Sequence, residues 1–250
     1  SVGNPYAPET IDPQVVKIAQ NAAHYAVQKP DEVTDLVDFK QPEISDTDLK
    51  APIYIDFGPT SLSATPWNNI TSHQESSTTS WIKDVENNYT NIGVRVLDGF
   101  TATHAGVGSE PASPVTVDGV EFPLTAWKDG LLVKGEKNQG DVGPGRIEIS
   151  QLDVARKYNF TILAIRFNGS KDARISSYKL VGKTESAVKE VKTGIKDAAS
   201  FAAANFEEYI AKFENVEPDS EGKVIVEVKG LDTGSAAEGH INALCISLAK

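Results

Sequence analysis

The strongest constraint in this sequence is a period-two alternation of apolar and polar side chains. It recurs in short runs from residue 51 onward and stops each time at a cluster of Gly, Pro, Asn or Asp. In "IYIDF", Ile53, Ile55 and Phe57 alternate with Tyr54 and Asp56. The pattern returns as Ile92, Val94 and Val96, as Ile147 and Ile149, as Tyr209, Ala211 and Phe213, and as Val224, Val226 and Val228. Successive side chains of a strand point to opposite faces, so each run predicts a strand with one buried face. "YNFTILAIRF" is apolar on both faces from Ile162 onward and predicts a central strand covered on both sides. Turn residues at this spacing predict an all-β, two-sheet sandwich. The stretch "DAASFAAANFEE", residues 197–208, dissents: its alanines favour helix, and a strand with a long loop is the competing arrangement.

Residues 1–50 have another character. "DPQVVKIAQNAAHYAVQ" offers Asp12 as N-cap, Pro13 at the first helical position and an apolar face through Val15, Ala19, Ala22 and Ala26. It predicts one short amphipathic helix. The acidic stretch after it, with prolines at 30, 42 and 52, predicts an extended linker. The expected domains are therefore 1–50, helix plus linker, and 51–250, sandwich. A chain of 250 residues is long enough to bury a full core.

Lys and Arg total 24 against 35 for Asp and Glu, a net charge of −11, which argues against nucleic acid and anionic membrane surfaces as partners. No run approaches the roughly 18 apolar residues of a transmembrane helix, so no membrane insertion is expected. The chain begins at Ser1 and lacks methionine, which reads as a mature or trimmed product that a signal peptide or lipoprotein leader could have preceded. The lone Cys245 excludes an intrachain disulfide and a Cys-based metal cluster, and its place in "HINALCISL" reads as a small buried hydrophobe. Asn69, Asn88, Asn159 and Asn168 begin Asn-X-Ser/Thr triplets, a weak signal in a chain this rich in Ser and Thr.

Catalytic signatures are sparse. There is no G-x-S-x-G elbow, and His24, His73, His104 and His240 lack the spacing of a zinc site. Two-acid glycoside hydrolysis needs only proximity in space, so Asp56, Asp84, Asp98, Asp118, Asp129 and Asp141 are candidates, but each is better read as a turn-forming or solvated acid, and a glycoside hydrolase is the less favoured reading. No cofactor is expected, although "KDG" at 128–130 or "NQGD" at 138–141 could supply oxygen ligands to a structural calcium ion. Trp67, Trp81 and Trp127 carry the chemistry of a sugar platform, since an exposed indole stacks on the C–H face of a sugar ring while amides and carboxylates take its hydroxyls. For Trp67, beside Asn68 and Asn69, a core position is the stronger alternative; for Trp81 and Trp127 both remain open.

Taken together, "IYIDFG", "PWNNIT", "YNFTILAIRFNGSKDARISSYKLVG", "FENVEPDSEGKVIVEVKG" and "GHINALCISL" resemble a galactose-binding-like jelly-roll domain of secreted and surface proteins from Gram-negative gut bacteria. The matching positions are Asp56, Phe57 and Gly58; Trp67 and Asn68; Tyr158, Phe160, Arg166, Arg174, Tyr178 and Gly182; Pro218, Asp219 and Gly222; and Ile241, Asn242 and Ala243. The resemblance spans about 200 residues. It departs from the pattern in the inserted stretch 184–206, which could cover a face, and in the N-terminal helix and linker.

The resemblance implies an all-β, two-sheet antiparallel β-sandwich of jelly-roll, galactose-binding-like type. It further implies a non-catalytic carbohydrate-binding module, secreted, periplasmic or at the cell surface. Its partners would be a polysaccharide or oligosaccharide, and neighbouring domains or surface glycan-degrading proteins. The alternative is a structural or protein-interaction module without glycan binding. Candidate ligand-binding residues are Trp81, Trp127, Trp67, Asn69, Asp129, Arg166 and Arg174. Arg166 and Arg174 flank the loop "FNGSKDA" and could fork onto a sugar hydroxyl or carboxylate. An internal ion pair of Arg166 with an acid such as Asp56 or Asp129 is the favoured alternative, because an unpaired buried charge is costly. Asn242, inside an apolar strand, reads as a side chain that satisfies neighbouring loop backbone.

Overall fold

The structure, a computed structural model, describes residues 49–134, 144–167, 174–231 and 238–250. The expected N-terminal helix, most of the acidic linker, the 138–141 loop with Asp141, and Asn168 lie outside the described residues.

The alternating runs become two sheets facing each other. The first has the order β15 (Ile210–Val216), β10 (Tyr158–Leu163), β18 (Ala243–Leu248), β1 (Ile53–Phe57), β2 (Trp67–Ile70). The second runs β13 (Lys189–Lys192), β12 (Ile175–Val181), β16 (Val224–Gly230), β9 (Gly145–Ser150), β4 (Gly93–Asp98), β3 (Thr78–Thr79). Pairing is antiparallel except between β1 and β2, where Tyr54 stands beside Trp67 in parallel register. The inward residues are those of the apolar phase: Ile53, Ile55, Phe57, Phe160, Ile162, Leu244 and Ile246 meet Val94, Val96, Ile147, Ile149, Leu180, Val224, Val226 and Val228 in one buried core. Burial strictly alternates along β9 and β16, as their sequence period requires.

The other face of the first sheet is also covered. A hairpin of β6 (Val115–Val117) and β7 (Val120–Phe122), the short α1 (Leu124–Trp127), and the 195–210 stretch bring Val115, Phe122, Trp127, Phe201 and Tyr209 onto Leu163, Ala243 and Cys245. Both faces of the β10 end are thus buried, as its doubly apolar sequence predicted. The inserted stretch does cover a face. Within it, residues 197–208 hold α2 (Ala198–Ala202), capped by the Asp197 carboxylate accepting from the Ser200 N–H at 2.8 Å, and then a 3-10 turn, Phe206–Tyr209. Helix therefore wins locally but only for a turn or so, because its function is to seat Phe201 and Tyr209 in the second core. The edge strand β13 alternates exposed Lys189, Glu190 and Lys192 with buried Val191, and these charges discourage edge-to-edge pairing.

Three smaller strands close one end of the sandwich: β5 (Ala102–His104), β8 (Gly130–Lys134) and β17 (Glu238–Ile241), in the order β17-β8-β5. Beside them β11 (Arg166–Phe167) pairs in parallel with β14 (Gly194–Ile195).

Candidate functional site

The Trp67 region is a structural anchor built from its own sequence. Trp67 is half-buried between Tyr54 and Phe122, with ring centroids 5.1 and 5.7 Å away. Asn68 donates to the carbonyls of Tyr54 and Lys83 at 2.9 and 2.8 Å and accepts the Lys83 N–H at 2.8 Å. Asn69 closes the loop before it, accepting the Ser63 N–H at 2.8 Å and donating back to the Ser63 carbonyl at 3.0 Å. Asp129 accepts the N–H groups of Thr60 and Ser61 at 2.8 and 3.1 Å, and Asp56 that of Ser63 at 3.1 Å. Gly58, at φ 140°, is required here: a Cβ would lie 2.6 Å from the Asp129 carboxyl.

Both acids are wholly buried, and each has one oxygen without a hydrogen-bond partner. Desolvation pushes Asp56 up to about 7, with the neighbouring Asp129 charge adding to it, and burial raises Asp129 as well. Neither acid meets Arg166, so the expected internal pair with Asp56 or Asp129 is replaced by other partners. Nor does Asp129 face solvent as a ligand-binding acid would; it ties down a loop. Among the described residues no group of three or more His, Cys, Asp or Glu side chains comes together to hold a metal ion.

The other two tryptophans separate. Trp127 is fully buried, stacked on Phe201 at 4.9 Å, with its indole N–H donating to the Ser113 carbonyl at 3.2 Å. It has no free face for a sugar, because the second core that the insertion completes lies on top of it. Trp81 is 40% exposed and sits at φ 53° on a hairpin that also carries exposed Tyr89, with the Lys83 ammonium 4.5 Å from the Tyr89 ring centre. The N–H of Ile82 and its carbonyl pair with Ile92 and Thr90, which fixes where Trp81 leaves the sheet.

The two arginines come together at the opposite end, with residues the sequence did not single out. Thr193 joins their backbones, accepting the Arg166 N–H at 2.6 Å and donating to the Arg174 carbonyl at 2.9 Å. Arg174 is 4% exposed, and its Nη2 lies 3.3 Å from Oε2 of Glu238. Arg166, partly exposed, donates from Nη1 to Nδ1 of His104 at 3.2 Å. The His104 and His240 rings meet edge to face, 5.1 Å between centroids. Glu238 Oε2 also faces His240 Nε2 at 3.5 Å, long for a hydrogen bond, so that ring nitrogen is an electrostatic neighbour. The backbone holds His240 in place, its N–H donating to Ser176 Oγ at 2.9 Å and its carbonyl accepting from the Tyr178 hydroxyl. Gly130, cross-strand from His104, leaves room for the ring: a Cβ there would lie 3.0 Å from His104 Nε2 and 2.5 Å from the Ile241 carbonyl.

Burial first, then the adjacent His240 and the two guanidinium charges, hold His104 well below the usual imidazole range. His240 is lowered by burial, against the pull of Glu238. Both are neutral imidazoles near pH 7. Glu238 is brought down to about 2 by the facing His240 ring and, against the cost of burial, by Arg174 and Arg166. Burial also lowers both arginines, and Arg174 adds to this at Arg166. His104 was missed because it stands alone in the sequence; Glu238 and His240, two residues apart on one strand, were the available hint, with the His240 ring a polar group in the apolar run "GHINALC".

Register separates this cluster from Trp81. Arg174 enters the six-stranded sheet where Ser176 pairs with Gly230, Val228 with Gly145 and Arg146 with Asp98. Thr79 pairs with Val94 and leaves past Gly93, at the other end of β4, about 20 Å away at ~3.4 Å per residue.

No family model and no curated protein matches the chain. Among solved structures it is similar to TmCBM61 in complex with β-1,4-galactotriose, at 13% identity and TM-score 0.27, covering 48% of this chain and 71% of that one. It is also similar to a chain from the complex of plant peptide RALF23 with FER and LLG2, at 11% identity and TM-score 0.47 over 84% of this chain. A third is the ANXUR1 extracellular domain from Arabidopsis thaliana, at 9% identity and TM-score 0.41 over 69% of this chain. The chain spans about half the length of these plant chains, 53% and 46%. No helix among the described residues is long and apolar enough to cross a membrane.

Proposed function

We propose that this chain is a non-catalytic carbohydrate-binding β-sandwich that acts in an extracellular polysaccharide-handling system. The observation that carries the reading is Trp81. It is a large aromatic held 40% exposed in the left-handed region, φ 53°, where a bulky side chain costs on the order of 1–2 kcal/mol. Tyr89 and the amides of Asn87 and Asn88 lie on the same hairpin, so an apolar platform and hydroxyl-binding groups occur together. The buried acids Asp56 and Asp129 are sealed by the 60–63 amides, which supports a role in the fold rather than in hydrolysis.

A structural or protein-interaction module is the second reading, and the internal positions of Trp127 and Trp67 favour it by leaving one aromatic platform of the three. Affinity electrophoresis in gels containing neutral and acidic plant and microbial polysaccharides decides between them. Retardation by at least one glycan, abolished in Trp81→Ala, is expected. No retardation by any glycan, with Trp81 emission insensitive to an aqueous quencher, would establish the interaction module instead.

A further inference from the structure

The cluster at the far end of the sandwich holds more donors than partners. A guanidinium carries five N–H groups. Arg174 is 4% exposed, yet its Nε and Nη1 are buried with no hydrogen-bond partner, as is Nε of Arg166. Both ring nitrogens of wholly buried His240 and the hydroxyl of Thr193, which bridges the two arginine backbones, are in the same condition. Among the described residues, one carboxylate, Glu238, contacts Arg174 and acts on Arg166 through its charge, and the histidines add no charge. Glu110 acts on Arg166 only from farther off, its carboxylate being occupied by the N–H groups of Val107 and Gly108. Among the described residues one positive charge is left over, in a chain of net −11 and in a place where an uncompensated charge is expensive.

We propose that Arg166 and Arg174 form a binding site for the carboxylate of a small acid, whether a uronic-acid sugar unit or a free carboxylate. The missing partner must be an acceptor, since every orphaned arginine atom is a donor. It must be planar and two-oxygened to use the fork of a guanidinium, and it must carry a single charge, because only one is in excess. Glu238 at 3.3 Å from Arg174 disfavours a phosphate dianion in the same space. Arg166 and Glu238 are part-exposed, whereas Arg174 and His240 are buried. The site lies at the opposite end from Trp81 and stands whether or not that residue binds glycan.

The test measures thermal unfolding and calorimetric titration of the whole chain with galacturonate, glucuronate, acetate, galactose and inorganic phosphate. Ligands that bind the folded state raise its melting temperature by mass action. Carboxylates are expected to stabilise and galactose not. A uronate response larger than that of acetate assigns the site to acidic sugars, and an equal response to carboxylates in general. Arg174→Lys, which keeps the charge but loses the fork, is expected to weaken carboxylate binding at least tenfold. Arg166→Gln, at the part-exposed position, should do the same without impairing folding, and decides the matter if the lysine variant unfolds. Trp81→Ala should leave the response intact. The absence of any carboxylate response, a stronger response to phosphate, or unchanged affinity in Arg166→Gln would overturn the proposal.

Discussion

The side-chain amide of Asn242 donates to the main-chain carbonyl of Asp129 at 2.6 Å, from a position with no solvent exposure. The same Nδ2 donates to the Trp127 carbonyl at 2.9 Å, and Oδ1 accepts the Ile165 N–H at 2.7 Å. One amide thus supplies hydrogen bonds to three backbone groups from the α1–β8 turn and the end of β10, where no sheet ladder reaches them. Asn242→Ala orphans all three. A loss of about 3–5 kcal/mol is expected, read from urea midpoints. A loss below about 1 kcal/mol would mean that water replaces the amide.

Asp56 gives the fold an uncommon pH dependence. Its folded value of about 7 lies above the ordinary 3.8, so between those limits the folded state binds the proton more tightly than the unfolded one. Stability should therefore fall as pH rises from about 4 to about 7, by up to about 4 kcal/mol from this group. Asp56→Asn should flatten that slope. Denaturant titrations at both ends of the window measure it, and an unchanged slope in the variant would assign the effect elsewhere.

Glu238 acts in the opposite sense and at lower pH. Held at about 2 instead of 4.5, it contributes stability above pH 4.5 that disappears as pH falls through about 2. Glu238→Gln should destabilise the protein near pH 7, where Arg174 loses its counter-charge, and much less near pH 2.5. Equal losses at both pH values would show a loss of shape rather than of charge.

Phe201 seals Trp127 at 4.9 Å. Phe201→Ala should cost about 3–4 kcal/mol, in the range for a buried aromatic. It should also shift part of the tryptophan emission to the red, because Trp127 then meets water. A destabilised variant whose emission stays blue would show that neighbouring side chains collapse over the ring.

At Gly130 even one methyl is excessive. A Cβ there meets the Ile241 carbonyl at 2.5 Å, so Gly130→Ala should cost about 1–3 kcal/mol. His104 stands 3.0 Å from the same point, and its imidazole NMR resonances should shift. Shifted resonances with unchanged stability would place the adjustment in the ring alone.

What the sequence determined by itself is local. Period-two alternation marked strands such as Ile53–Phe57 and Val224–Gly230 and, in β16, assigned the faces correctly, because a strand's side chains have no other way to point. The apolar surroundings of Asn242 were enough to read it as a backbone-satisfying amide. The parallel pairing of β1 with β2 was not legible, since register depends on which strand the chain returns to. The sequence favoured a core position for Trp67 but left Trp81 and Trp127 open, because the third layer that holds Phe122, Phe201 and Tyr209 covers Trp127 and leaves Trp81 40% exposed. The arginine cluster is the clearest case. Its members are at 104, 166, 174, 238 and 240, and burial and mutual charge, which set their chemistry, exist only once three separate strands and the residue that leads into β12 meet at one end of the sandwich.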